Sequence, residues 1–522
     1  MEKRISNPRV REIRGRYIDH LDTTMAAPVA ECPCGACAKA RVTIRQIFDV
    51  LNIYGWLLDS YVVDFFEQQS WQKLPSSWKP VLRTVTPDEF GNWLAGDISR
   101  TRVWPLSLLA LRRVTKDLQL NRDHQNSKSV LRCSRAKRTE CENSKDLILG
   151  NDDGRATRDA RVALWKHNNH FLKHVKIKKR HEIQQMAQIC ADCAQESNAK
   201  CVVDVGAGMG HLARSLAFKY GLCVTCIEQD APLSQRAQKW DKELSISLAK
   251  HVSGLPIHLP RHVSAKLENS NSDQTETIRQ IREIFINDFN LNEERSGFGI
   301  VGLHPCGDLA ATLLRLYTSR QEARFICIVG CCYMKLTLED SASALHGYPL
   351  SKYLSSSTNR KLSYTALEVA CHAIESHCDR LRTGNYEDLI VHAYRAALET
   401  ILTKYDERLR HSQVRNVKVT RSMTFEEYCT RATADLEPRV RPKDSDIQNP
   451  QIRFHLSQWQ RIVIFGALRT MLAPLVETAV LLDRFLYLSE NNLSPTLKPI
   501  FDAKLSPRNF LLFSVKSVEL NS

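Results

Sequence analysis

Residues 201 to 230 read CVVDVGAGMGHLARSLAFKYGLCVTCIEQD. Cys201 to Val205 is a short apolar run interrupted by Asp204, as expected of a parallel strand buried on both faces. Gly206, Gly208 and Gly210 then alternate, which suits a turn whose backbone must approach a ligand closely. A helix from about Met209 to Tyr220 presents free N–H groups at its start. A second strand, Cys223 to Ile227, ends at Glu228, 24 residues beyond Asp204, where an acid can accept hydrogen bonds from ribose hydroxyls. The stretch predicts a nucleotide-cofactor half-site in a doubly wound, Rossmann-like α/β sheet.

On the upstream side, Phe171 to Cys193 reads as a helix carrying KIKKRHEI. Lys178 and Glu182 are four apart and share a face. Lys178, Lys179, His181 and Glu182 either roof the cofactor pocket or form an ion-paired solvent face. Downstream, helix Ala231 to His251 leads to a third strand near His262 to Leu267, and the acid that could hold an adenine after it is not assignable. GIVGLHPCGDL follows at Gly299 to Leu309. Its strand, Ile300 to Leu303, ends in His304, Pro305, Cys306, Gly307 and Asp308, with Asp308 a plausible cap for helix Leu309 to Tyr317. A fifth strand, Phe325 to Val329, ends in Gly330, Cys331, Cys332 and Tyr333. Ligands in such sheets sit at the carboxyl ends of the strands, so these two polar ends border the pocket that the glycine turn opens into.

The 522-residue chain is 43 % hydrophobic and 25 % charged, an ordinary folded composition too large for one small core. Its formal charge of +15 suits an acidic partner such as RNA, or simply a basic surface. Seventeen scattered cysteines and a start without an apolar signal core point to a reducing intracellular location, cytoplasm or nucleus, with no disulfide-linked partner. The most apolar window, Ile462 to Leu488, contains Arg469, Glu477, Asp483 and Arg484, so it reads as a buried helix pair and membrane association is not expected. The segments divide into a basic arm at 1–40 containing Cys32, Cys34 and Cys37; a helical N-terminal domain at 41–120 with core aromatics; and a polar linker at 121–165. The cofactor-binding core follows at 166–360, then a helical insertion at 361–505 and a terminal strand at 506–522 returning to the core. The C-x-C-x-x-C triplet lacks an evident fourth zinc ligand and reads as free thiols. Arg132, Arg135, Lys137 and Arg138 read as a solvated charge run or a phosphate-binding patch.

Dinucleotide enzymes place their third glycine one position later, where this chain has His211. The observed D-x-G-x-G-x-G instead matches S-adenosylmethionine-dependent methyltransferases. KKRHEI, VVDVGAGMGHLAR, GLHPCGDLA, GCCYM, AYRAALE, LAPLVETAVLLDRFLYLSE and SPRNFLL, in that order, with WQKLPSSW and WPLSLLA upstream, resemble the methyltransferase-like protein 25 family over about residues 40 to 517. That family includes a relative named for a ribosomal RNA adenine dimethylase domain. The resemblance implies S-adenosylmethionine bound by Asp204, Gly206, Gly208, Gly210 and Glu228, with His181 and Glu182 beside it. Lys178, Lys179, Cys331, Cys332 and Tyr333 would line the substrate pocket, with His304, Cys306 and Asp308 at the reaction centre. The chain departs from the family at Met334, where relatives often have histidine, and it contains no Pro-Pro dipeptide of the kind adenine-N6 methyltransferases use.

The expected activity is direct methyl transfer to an RNA or protein acceptor, with His304 or Asp308 positioning or deprotonating the acceptor. Pro305-Cys306 also allows a covalent route through the Cys306 thiol. The alternative function is a non-catalytic cofactor-binding scaffold or sensor. No metal is assigned, because adjacent Cys331 and Cys332 would point to opposite faces of an extended strand.

Overall fold

The computed structural model describes residues 31–97, 102–126, 129–135, 175–249, 258–267, 271–289, 297–339, 345–384, 386–420 and 422–516. Among these, one sheet contains β1 (Leu131–Arg132), β2 (Cys201–Val205), β3 (Cys223–Glu228), β4 (Arg261–Ser264), β5 (Phe298–Leu303), β6 (Ala323–Val329), β7 (Thr496–Pro499) and β8 (Phe510–Val515). Their spatial order is β1-β7-β8-β6-β5-β2-β3-β4. The pairs among β4, β3, β2, β5 and β6 are parallel, whereas β8 joins β6 and β7 antiparallel and β1 joins β7 antiparallel. The winding reverses between β2 and β5, and the crevice outside their carboxyl ends is where such a sheet receives a ligand. Every residue of β2 is buried, which explains why its sequence is apolar on both faces without alternation, Asp204 apart.

Helix Ile177–Glu196 precedes β2, and helix Asp308–Ser319 follows β5. The C-terminal chain returns twice: β7 and β8 extend the sheet beyond β6, with Ile326 opposite Ser514 and Leu497 opposite Leu512. On the other side lies a helical layer. Helix Gly35–Asp59 packs on helix Ala473–Glu490, and Phe90, Trp93 and Trp104 stack inside the same apolar core as Ile462–Leu488. Segments from 41–120 and from 361–505 therefore share one core, and Cys32–Ser522 folds as one compact unit. The first helix starts at Gly35, capped by Cys34, eight residues before the apolar periodicity sets in at Thr43.

Trp459–Glu490 is long and apolar enough to cross a membrane, yet 94 % of its most apolar window is buried inside the fold. Its charges act as anchors for other segments. Arg469 donates to the Leu57 and Leu58 carbonyls, both at 3.0 Å. Asp483 accepts from Leu350 N, Ser351 N and Ser351 Oγ at 2.8, 2.8 and 2.6 Å. Part of the stretch expected to be a linker is likewise built in. Arg122 pairs with Glu375 and Glu477 at 2.6 and 2.5 Å, and 131–132 is an edge strand too short to leave a sequence pattern. Lys137 and Arg138 lie outside the described residues.

Candidate active site

The glycine turn after β2 has three left-handed residues, Gly206 (φ 72°), Gly208 (φ 56°) and Gly210 (φ 69°). The first two peptide N–H groups of the turn, from Gly206 and Ala207, donate to Ile227 O at 2.9 and 3.2 Å, fixing it to β3. A side chain on Gly208 would meet nothing within 4 Å, so the turn faces open space. Gly210 faces the protein instead: a Cβ there would approach His262 to 3.1 Å and Arg214 to 3.6 Å. Glu228, at the end of β3, reaches back over the turn. Its Oε2 accepts from Gly208 N at 2.9 Å, and its Oε1 from Asp230 N at 3.1 Å.

Asp204 is 2 % exposed, and its Oδ2 has no hydrogen-bond partner among the described residues. Burial pushes its carboxyl up to about 7, against the opposing charge of Lys179. An unpartnered carboxylate oxygen below an open glycine turn, flanked by a second carboxylate, fits a ligand with ribose hydroxyls and a cationic group.

Across the crevice, Glu182 Oε1 lies 2.9 Å from His304 Nε2 and accepts from Ser506 Oγ at 2.7 Å. Lys178 and Lys179 approach the same carboxylate to 3.8 and 3.6 Å while their ammonium groups stay solvated. Burial alone would raise the Glu182 carboxyl, but the hydrogen bond and charge of His304, the Ser506 hydrogen bond and the Lys179 charge prevail and lower it to about 2. Glu182 thus remains ionised although only 1 % exposed. The histidine has a left-handed backbone (φ 68°), and its Nδ1 is enclosed with no partner among the described residues. With Nε2–H committed to Glu182, Nδ1 is the ring's proton-accepting atom.

The remaining expected residues divide between this crevice and the interior. Asp308 is the first residue of its helix, behind Gly307 as cap, and both its carboxylate oxygens are in use. Oδ1 accepts from Thr337 N at 2.9 Å and Oδ2 from Thr337 Oγ1 at 2.8 Å. It ties the helix to the loop after β6, so a base role meets a carboxylate already engaged. His181 turns toward the C-terminal loop: its Nε2 accepts from Asp502 N at 3.0 Å and its ring packs on Phe501. Tyr333 is buried beneath the crevice, its hydroxyl donating to Glu477 at 3.2 Å, with Arg484 and Arg508 over its ring. It supports the pocket from below instead of lining it.

Cys306, Cys331 and Cys332 do come together. Their sulfurs are separated by 3.4 Å (306–331), 3.3 Å (306–332) and 3.5 Å (331–332). The expectation that neighbouring Cys331 and Cys332 diverge fails because the strand has ended at Val329, and the left-handed turn at Cys332 (φ 25°) folds its side chain back. Burial raises the Cys306 thiol, and a hydrogen bond with Cys332 adds to this.

Three parts of the site left little trace in the sequence. Arg214, Asp241 and His262 form a buried cluster behind the turn, with Arg214–Asp241 at 2.5 Å and Asp241–His262 at 2.6 Å. An arginine within the apolar helix LARSLAF was the available signal. Ser506 and Thr337 come from loops, whose contacts no periodicity predicts.

A family described as "Methyltransferase domain" matches residues 178–339. That range contains Glu182, the glycine turn, Glu228, His304 and the three clustered cysteines. The "Probable methyltransferase-like protein 25" of Homo sapiens is 24 % identical over 477 residues, covering 67 % of this chain and 76 % of that protein. Its counterpart in Mus musculus is 22 % identical over 462 residues, covering 66 % and 76 %. Among solved structures, the magnesium protoporphyrin IX methyltransferase of Synechocystis with bound SAM is 15 % identical. It matches 40 % of this chain and 87 % of its own with a TM-score of 0.20. The plantazolicin methyltransferase in complex with SAH is 10 % identical, covers 59 % and 91 %, and has a TM-score of 0.19. The chain carries a methyltransferase domain at 178–339, within a longer stretch similar to methyltransferase-like protein 25.

Proposed function

We propose that this methyltransferase uses S-adenosylmethionine and transfers the methyl group directly to an RNA or protein acceptor. The observation that carries the reading is the open glycine turn with the Glu228 carboxylate hydrogen-bonded to Gly208 N and the unpartnered Asp204 oxygen beneath it. Asp204, Gly206, Gly208, Gly210 and Glu228 would hold the cofactor, the glycines by close backbone approach and Glu228 through ribose hydroxyls.

S-adenosylmethionine supplies a methyl group already activated on a sulfonium sulfur. What this chain adds is alignment of the acceptor, exclusion of water and a place for the acceptor's proton. Glu182 holds His304 Nε2–H and would stabilise an imidazolium at that ring, and Nδ1, enclosed in this structure, would take the acceptor's proton once the ring turns toward the acceptor. Asp308 positions the loop after β6 through Thr337. Direct transfer is favoured over a covalent Cys306 intermediate, because the groups touching that sulfur are the thiols of Cys331 and Cys332 and its own thiol is raised by burial.

RNA is the favoured acceptor on the formal charge of +15, which would gather a polyanion. The test has two arms. Calorimetry with S-adenosylhomocysteine should show one site that Gly208→Val abolishes, and no binding by the folded wild type defeats the cofactor assignment. Labelled-methyl transfer to fractionated RNA and protein from cells lacking the chain should then label RNA. Labelling of protein alone reassigns the acceptor, and binding without transfer to either favours a non-catalytic scaffold.

A further inference from the structure

Cys32, Cys34 and Cys37 meet a fourth cysteine, Cys133, about a hundred positions further along the chain. Cys133 Sγ lies 3.7 Å from Cys32 Sγ, 3.8 Å from Cys34 Sγ and 3.7 Å from Cys37 Sγ. All four sulfurs fall within 4.8 Å of one another. A tetrahedral ion with metal–sulfur bonds of about 2.3 Å separates its ligand sulfurs by about 3.8 Å. The observed spacings match that edge. They are too long for a disulfide, and a polynuclear iron–sulfur cluster would spread its cysteines over several irons and hold them farther apart.

The surrounding fold builds this cluster from separate segments. Cys34 caps helix Gly35–Asp59, and its sulfur accepts from Cys37 N at 3.4 Å. Cys133 follows β1, whose pairing with β7 and a bond from Cys133 N to Pro495 O at 2.9 Å fix its position. Ser489, at the end of helix Ala473–Glu490, places its hydroxyl 3.1 Å from Cys37 Sγ. Cys32, Cys37 and Cys133 are 3 %, 0 % and 2 % exposed.

We propose that Cys32, Cys34, Cys37 and Cys133 bind one zinc ion in a closed, tetrahedral structural site. Binding displaces four thiol protons to solvent and leaves a centre of net charge −2, eased by the Cys37 N–H, the Ser489 hydroxyl and Arg135 beside Cys32. The ion would join the start of the first helix, the edge strand β1 and the end of helix Ala473–Glu490. With all four positions filled by protein, the site has no vacancy for substrate. The cluster at Cys306 differs, offering three sulfurs at an exposed crevice.

The test uses the full chain purified from zinc-supplemented medium and desalted. Elemental analysis should give one zinc per chain, and X-ray absorption should show four sulfurs at about 2.3 Å. Cys133→Ser should lose the ion, whereas the triple substitution Cys306→Ser, Cys331→Ser, Cys332→Ser should keep it. If Cys133→Ser fails to fold, the wild-type absorption spectrum and the thiolate charge-transfer bands of the cobalt-exchanged protein decide. Folded wild type that takes up no stoichiometric metal from excess zinc overturns the proposal. So does an ion lost only in the triple variant, or one bound by fewer than four sulfurs.

Discussion

Glu182 and His304, 122 positions apart in the chain, face each other at 2.9 Å across the carboxyl edge of the sheet. The first belongs to the helix before β2 and the second to the end of β5, so the contact forms only when the doubly wound sheet has closed. It joins the helix before β2 to the carboxyl end of β5.

The first prediction concerns that pair. Because the Glu182 carboxyl falls from 4.5 to about 2 on folding, the unfolded chain binds more protons between those values. The group therefore stabilises the fold fully above about pH 4.5 and loses that contribution as pH falls toward 2. Glu182→Gln should lower stability by roughly 3 kcal/mol at pH 7. Urea midpoints of wild type and variant should stay a constant distance apart down to about pH 4.5 and then converge. A gap that persists unchanged at pH 3 would show that the carboxylate's charge does not matter.

Asp204 gives the opposite sign. Its carboxyl, raised by burial from 3.8 to about 7, keeps a proton in the folded state that the unfolded chain releases. The resulting stabilisation is complete below about pH 3.8 and disappears as pH rises through 7. A ligand bearing a cationic ammonium selects the ionised form, so S-adenosylhomocysteine affinity should weaken about tenfold between pH 8 and pH 6. Asp204→Asn should bind more weakly and without that pH dependence. Calorimetry across the range measures both, and parallel profiles for the two proteins would reject the assignment.

The sequence offers His304 or Asp308 as the group that positions or deprotonates the acceptor, and in the fold both Asp308 carboxylate oxygens accept from Thr337. Asp308→Ala removes two hydrogen bonds to Thr337 and should cost about 1–3 kcal/mol of stability, with only a modest fall in the rate constant for transfer. His304→Gln keeps a donor for Glu182 but removes the ring base. It should fold with nearly wild-type stability and lose about 100-fold in methyl transfer. Thermal unfolding combined with single-turnover labelling distinguishes the two, and a reversal of the pattern would make Asp308 the base.

How much of this was legible follows from what encodes each part. β2, the glycine turn, β3 and the two polar strand ends were readable because buried parallel strands and close backbone turns restrict residue type locally. The Arg214–Asp241–His262 cluster, the Thr337 bonds and the union of Cys133 with Cys37 depend on contacts between distant segments, to which no local pattern responds. Cys331 and Cys332 show a related limit. Alternation along a strand was the right rule applied two residues past the strand's end. The helices around Ile462–Leu488 were recognisable as buried from their charges, but which groups those charges would hold was not.

One of those charges yields the last prediction. Arg484 is 2 % exposed and packs its guanidinium so closely against Gly330, just beyond β6, that a Cβ on the glycine has no room. Burial lowers the Arg484 pKa, while Tyr333 and Asp483 favour its charged form. Gly330→Ala should therefore act mainly by displacing Arg484 and should cost about 2–4 kcal/mol, within the range for disturbing a buried charge. Arg484→Met fills similar space without a charge to strand, so the double substitution should cost about 1 kcal/mol or more less than the sum of the single ones. Because Gly330 leads directly into Cys331 and Cys332, Gly330→Ala should also slow methyl transfer more than its stability loss explains. A double-mutant cycle in urea measures the coupling. Strict additivity would mean that the arginine and the strand end do not depend on each other.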